Sequence, residues 1–202
     1  MINKFPIDIE KCDTFNLPYV TIDNHFTNED LDKIISYCET KGLTDAKIGG
    51  QDFGIVNKQI RNTKLGIIQA DNENDWIFKK LNSGITKLND QHYKYDLLGF
   101  EYFTYLEYEP NGHYVFHIDY HLHENVHKKD PLPRKLSVSL ILNDETEYTG
   151  GNLEFFVGST ITVKQPKGRL IGFPSWMVHR VSPVKSGKRK ALVVWILGSR
   201  VK

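Results

Sequence analysis

From Leu97 to the C-terminus the chain is a succession of short runs rich in β-branched and aromatic residues, and this limits the fold more than any other feature. The runs are GFEYFTYLEYE, HYVFHID, KLSVSLILN, NLEFFVG, STITVK, GRLIGFP and KALVVWILG. They alternate in part and are separated by Pro, Gly, Asn and Asp, which is how strands joined by turns are written. Upstream, the run PYVTID reads as a first strand, and Thr27 can cap a helix whose first turn holds Asn28, Glu29 and Asp30. Leu31, Ile34, Ile35 and Cys38 give that helix a buried stripe, and Gly42 ends it. Residues 44–58, with three glycines and no period, read as a long loop and a candidate lid. A strand from about Thr63 to Gln69 precedes a second helix from about Asn74 to Gln91, with Trp76, Ile77, Leu81, Ile85 and Leu88 on one face. Helices first and strands after point to an α+β, mainly β fold: a double-stranded β-helix, or jelly roll, with two supporting N-terminal helices.

No linker or repeat divides the 202 residues, so one domain is expected, with residues 1–96 supporting a jelly-roll core at 97–202. Lys and Arg number 26 against 25 Asp and Glu, which gives no bulk field for nucleic acid or an acidic membrane. Cys12 and Cys38 are far apart, which argues against a disulfide framework or a thiolate metal site. The first residues, MINKFPIDIEKCD, lack the apolar stretch of a signal peptide, and Ala191 to Leu197 is too short to span a bilayer. A reduced, cytoplasmic setting is the expectation.

His117 and Asp119 flank one residue in an extended run, and strand positions i and i+2 share a face, so imidazole and carboxylate can converge. His179 comes 60 residues after Asp119, following Pro174, Ser175 and Trp176. Two imidazoles and a carboxylate form the facial triad of non-haem iron(II) oxygenases, which leaves positions open for substrate and oxygen. His-x-Asp alone arises by chance, and its plainest alternative is two polar residues in a surface loop.

The surrounding strings sharpen this. YEPNGHYVFHID, RKLSVSLILN, EYTGGNLEFF and GFPSWMVHRVSPVKSGKRKALVVWI resemble, in content and order, the prolyl-4-hydroxylase-type branch of the 2-oxoglutarate and iron(II)-dependent dioxygenases. The likeness runs from about Gly99 to the C-terminus; the N-terminal part carries no diagnostic motif. It implies iron(II) on His117, Asp119 and His179, 2-oxoglutarate as cosubstrate, dioxygen, and ascorbate as an optional further cofactor, with no catalytic residue beyond the metal centre. By the same resemblance Arg189 binds the distal carboxylate of 2-oxoglutarate, a role suited to a guanidinium fork. Its alternative is one more solvated charge in KSGKRK, which is how Lys188 and Lys190 read. Tyr108 and Tyr114, nine and three residues before His117, are the implied cosubstrate or pocket tyrosines, with sheet packing as the alternative. One departure stands out: where some relatives place a further tyrosine on the strand after His-x-Asp, this chain has Ile141. Gly150 and Gly151 suggest a tight turn, and Trp195 a wall of the substrate cavity or a core residue.

The implied reaction is hydroxylation of an unactivated C–H bond with release of succinate and carbon dioxide. Peptidyl proline is the expected substrate, and a small molecule the alternative. A different class, a non-catalytic jelly-roll module, would show a broken triad or a missing cosubstrate anchor, and both are intact. Residues 123–127, HENVH, match the zinc-protease pattern, but Pro131 and Pro133 follow closely and everything downstream reads as strand. A polar loop, with His121, His123 and His127 facing substrate or water, is the plainer reading.

Overall fold

The computed structural model describes residues 18–49, 54–120 and 132–199. In chain order the elements are β1 (Val20–Ile22), α1 (Asn28–Glu39), β2 (Thr44–Asp45), β3 (Arg61–Asn62), β4 (Lys64–Ile68), α2 (Asp75–Leu88), β5 (Leu97–Tyr108) and β6 (His113–His117). There follow β7 (Arg134–Ile141), β8 (Tyr148–Gly150), β9 (Leu153–Phe156), β10 (Thr160–Thr162), β11 (Leu170–Pro174), β12 (His179–Val181), β13 (Val184–Gly187) and β14 (Arg189–Gly198). Strands β8, β12 and β13 are too short and too polar for sequence periodicity to single out.

Thr27 closes a capping box at the start of α1: its hydroxyl accepts from the Asp30 amide while the Asp30 carboxylate accepts from the Thr27 amide. The second helix passes into a π-helical turn at Asn89–Tyr93 and stops at Lys94, whose φ is +51°. The described parts of the loop expected at 44–58, residues 44–49 and 54–58, carry regular pairing that the sequence did not suggest. Ile48 and Ile55 exchange both backbone hydrogen bonds, and the short strand Thr44–Asp45 pairs with β4. Its register comes from β4 rather than from any period of its own. The expected strand is β4, and Thr63 separates it from β3, which enters the other sheet; the Thr63 hydroxyl donates to the Glu107 carbonyl at 2.9 Å.

Seven antiparallel strands form the large sheet in the order β1-β11-β7-β14-β5-β4-β2, and five form the small one, β10-β9-β12-β6-β3; β8 and β13 make a separate pair. The two sheets face each other as a jelly roll. Both faces of the large sheet are covered. On one, Leu136, Val138, Leu140, Leu192, Val194 and Ile196 pack against Ile34, Cys38, Ile77, Leu81 and Leu88 of the helices. Toward the small sheet the same strands present Ser137, Ser139, Ile141, Val193 and Trp195, because side chains alternate along a strand. No helix among the described residues is long and apolar enough to cross a membrane.

Candidate metal centre

His117 ends β6 and His179 opens β12, and the two stand directly opposite in the antiparallel register. Asp119 lies just beyond the strand rather than within it, which corrects the simple i, i+2 picture. Its position is fixed instead by the loop before β12: the Asp119 and Tyr120 amides both donate to the Ser175 carbonyl, at 2.9 and 2.8 Å. The three residues nonetheless converge, each offering a ligand atom within 4.8 Å of the others.

The donor atoms are prepared by their partners. The Nδ1 atoms of His117 and His179 sit 2.8 and 2.9 Å from the carbonyls of Val115 and Met177. A carbonyl only accepts, so Nδ1 carries the proton in each ring and Nε2 keeps its lone pair for the centre. Asp119 Oδ2 accepts from the Ser137 hydroxyl at 2.8 Å, and Ser137 in turn meets Ser175 at 3.0 Å. Burial pushes the Asp119 carboxyl up, but His179 and His117 outweigh it and hold the group well below the usual carboxylate range. Burial likewise pushes His179 down to about 4, against the pull of Asp119. At neutral pH the face therefore presents a neutral imidazole at His179 beside a carboxylate, a donor set suited to a divalent ion.

Above His117, Tyr114 stacks at 3.5 Å between ring centroids, and Arg61 lies over Tyr114 at 4.7 Å. The cavity lined by the triad, Tyr108 and Tyr114 is also lined by Arg189. Arg189 opens β14 opposite Tyr108 and is only 2% exposed. Among the described residues no carboxylate pairs with its guanidinium; its Nε and one terminal nitrogen donate to the neutral Gln165 side-chain oxygen at 3.3 and 2.8 Å. The guanidinium also lies over the Tyr108 ring, at 5.4 Å, and a buried cation with such neutral partners is costly unless an anion completes it. The residues thus fit a metal dication together with an anionic cosubstrate.

Tyr108 and Tyr114 both reach this cavity, and burial pushes the Tyr114 hydroxyl up. Ile141 is fully buried among Leu153, Phe155 and Phe173, so β7 offers Ser139, not a tyrosine, to the cavity. Gly151, at φ +61°, does more than turn the chain: a Cβ there would lie 3.0 Å from Arg189 Cδ and 2.9 Å from a Val184 methyl. Lys188 pairs with Glu107 and Glu109, and Lys190 with Glu39, away from the cavity. His121 and the HENVH segment lie outside the described residues. Sequence reasoning missed Ser137, Ser175, Gln165 and Arg61, none of which carries a local signal; each acts through a partner distant in the chain or on another strand.

Residues 103–197 match the family model of the 2OG-Fe(II) oxygenase superfamily. A PKHD-type hydroxylase of Aliarcobacter butzleri (strain RM4018) is 38% identical over 92 residues, which is 45% of this chain and 40% of the relative. The match thus spans about two fifths of that relative's length. A viral collagen prolyl hydroxylase from Paramecium bursaria Chlorella virus-1, solved with 2OG, superposes with a TM-score of 0.68 at 21% identity, covering 91% of this chain and 98% of that one. A prolyl hydroxylase from Trichoplax adhaerens, in complex with a hypoxia inducible factor peptide fragment, superposes at 0.70 and 18% identity, covering 91% and 84%. At these identities the structures speak for the fold.

Proposed function

We propose, from the premise that residues 103–197 form a domain of the 2OG-Fe(II) oxygenase superfamily, that His117, Asp119 and His179 hold iron(II) and that Arg189 anchors 2-oxoglutarate. The observation that carries this reading is one cavity lined by both a three-ligand cluster and a buried guanidinium that pairs with no carboxylate among the described residues. Loaded with iron(II), 2-oxoglutarate and dioxygen, such a centre supplies hydroxylation of an unactivated C–H bond, with succinate and carbon dioxide released. The protein's part is geometric and electrostatic. Val115 and Met177 fix the imidazole orientations, and Ser137 with Ser175 holds the carboxylate. Arg189, pinned by Gln165, offers a fork to the distal carboxylate, while Tyr108, Tyr114 and Val193 line the space beside it. Phe155 and Phe173 pack against His179 and keep that side dry.

Peptidyl proline is the proposed substrate, since PKHD-type hydroxylases are among the relatives that match and prolyl hydroxylases among the structures that superpose. The test is an anaerobic titration of metal-free protein with iron(II) and then 2-oxoglutarate. A weak visible charge-transfer band, absent in His179→Ala, is expected. No band in the parent protein at saturating iron(II) and cosubstrate overturns the assignment.

A further inference from the structure

A second cavity shares Asp119, Tyr114, Trp195 and Arg61 with the first, and its character is different. Its charged lining is cationic: Lys47, Arg61 and Arg134 against the one carboxylate of Asp119. Arg61 and Arg134 each lie over an aromatic ring, Arg61 over Tyr114 at 4.7 Å and Arg134 over Trp195 at 4.0 Å. A guanidinium over a ring still binds a carboxylate through its in-plane N–H groups, which a carboxylate can take as a pair. Arg61 donates only weakly, from one terminal nitrogen to the Lys47 carbonyl at 3.5 Å, and its buried Nε has no hydrogen-bond partner among the described residues. Thr104, 2% exposed and lining the same space, also has a buried hydroxyl without one. Buried donors of this kind cost stability unless a ligand satisfies them.

We infer that this cavity is the substrate side of the centre and that it takes a carboxylate of the substrate on Arg61, with Arg134 adding a second positive charge. This rests on the function proposed above but adds a substrate class: the hydroxylated molecule is an acid, not merely a proline residue in neutral surroundings. The carboxylate can belong to a small acid or chain terminus, or to an acidic side chain beside the target.

The test is binding to the protein loaded with iron(II) and 2-oxoglutarate under anaerobic conditions, followed by calorimetry and by Trp fluorescence. The probes are N-acetyl-L-proline against N-acetyl-L-proline amide, and a capped proline peptide with a neighbouring glutamate against the same peptide with glutamine. Binding of the acid or the glutamate peptide about tenfold or more tighter than its neutral partner is expected, the size of one charge-assisted hydrogen-bond set. Preference confined to N-acetylproline assigns a small acid or chain end, and preference confined to the glutamate peptide assigns a side chain. Arg61→Gln should abolish the preference while leaving the neutral probe's affinity in place, and Arg61→Lys should restore part of it. Equal binding of charged and neutral probes, on protein that does take up iron(II) and 2-oxoglutarate, overturns the inference and leaves the proposed chemistry standing. Failure to take up iron(II) and 2-oxoglutarate defeats the function instead.

Discussion

The two faces of the large sheet carry opposite chemistry. Toward the helices, Leu136, Val138, Leu140, Leu192, Val194 and Ile196 are each no more than 2% exposed and wholly apolar. Toward the small sheet these strands and β5 bury Ser137, Ser139, Arg189 and Thr104, none more than 5% exposed. Burying apolar surface is favourable, whereas burying polar groups is at best neutral once they are paired. The helix face is therefore expected to supply much of the stability, and the inner face to hold groups whose partners arrive with a ligand.

That division can be broken most sharply on the helix face. Leu192→Ala, opposite Leu140, should cost about 2–5 kcal/mol in urea unfolding while leaving 2-oxoglutarate affinity unchanged in the folded fraction. A loss of cosubstrate affinity out of proportion to unfolding would show that the faces are not separable. Next in size, Arg189→Met should weaken 2-oxoglutarate binding about a hundredfold by calorimetry. Because it removes a buried charge that pairs with no carboxylate among the described residues, it should leave the ligand-free protein's stability within about 1 kcal/mol or raise it. A large fall in stability would make Arg189 a packing residue. Ser137→Ala tests the centre's support: metal affinity should drop about tenfold, with unfolding barely moved.

The smallest effect expected is silence at Cys38. Burial beneath the helices pushes its thiol up to about 12, so at pH 8 only ~1 part in 10,000 is thiolate. Alkylation of the native protein at pH 8, read by peptide mass spectrometry, should leave Cys38 unmodified. Rapid labelling without denaturant would show that the helix layer opens readily.

Much of this comparison was legible in the residues. Thr27 to Cys38 announced a capped amphipathic helix, and Phe103 to Tyr108 and Ala191 to Leu197 announced strands, because those signals repeat within a few residues. His117-x-Asp119 was visible for the same reason, although the i, i+2 rule put Asp119 on a strand that ends at His117. The pairing of Thr44–Asp45 was not legible, since its partner β4 supplies the register.

By itself, then, the sequence determined the periodic elements, the identity of the candidate metal ligands and the presence of an arginine ten residues after His179. Only the tertiary structure decided that His179 faces His117, that Ser137 and Ser175 hold Asp119, and that Arg189 lies buried on Gln165. It alone decided that Arg61 stacks above the centre from a strand that crosses to the other sheet at Thr63. Periodicity and covalent spacing are local and so can be read along the chain. A hydrogen bond across 24 residues, like that from Arg189 to Gln165, depends on sheet order and register, which the folded chain sets as a whole.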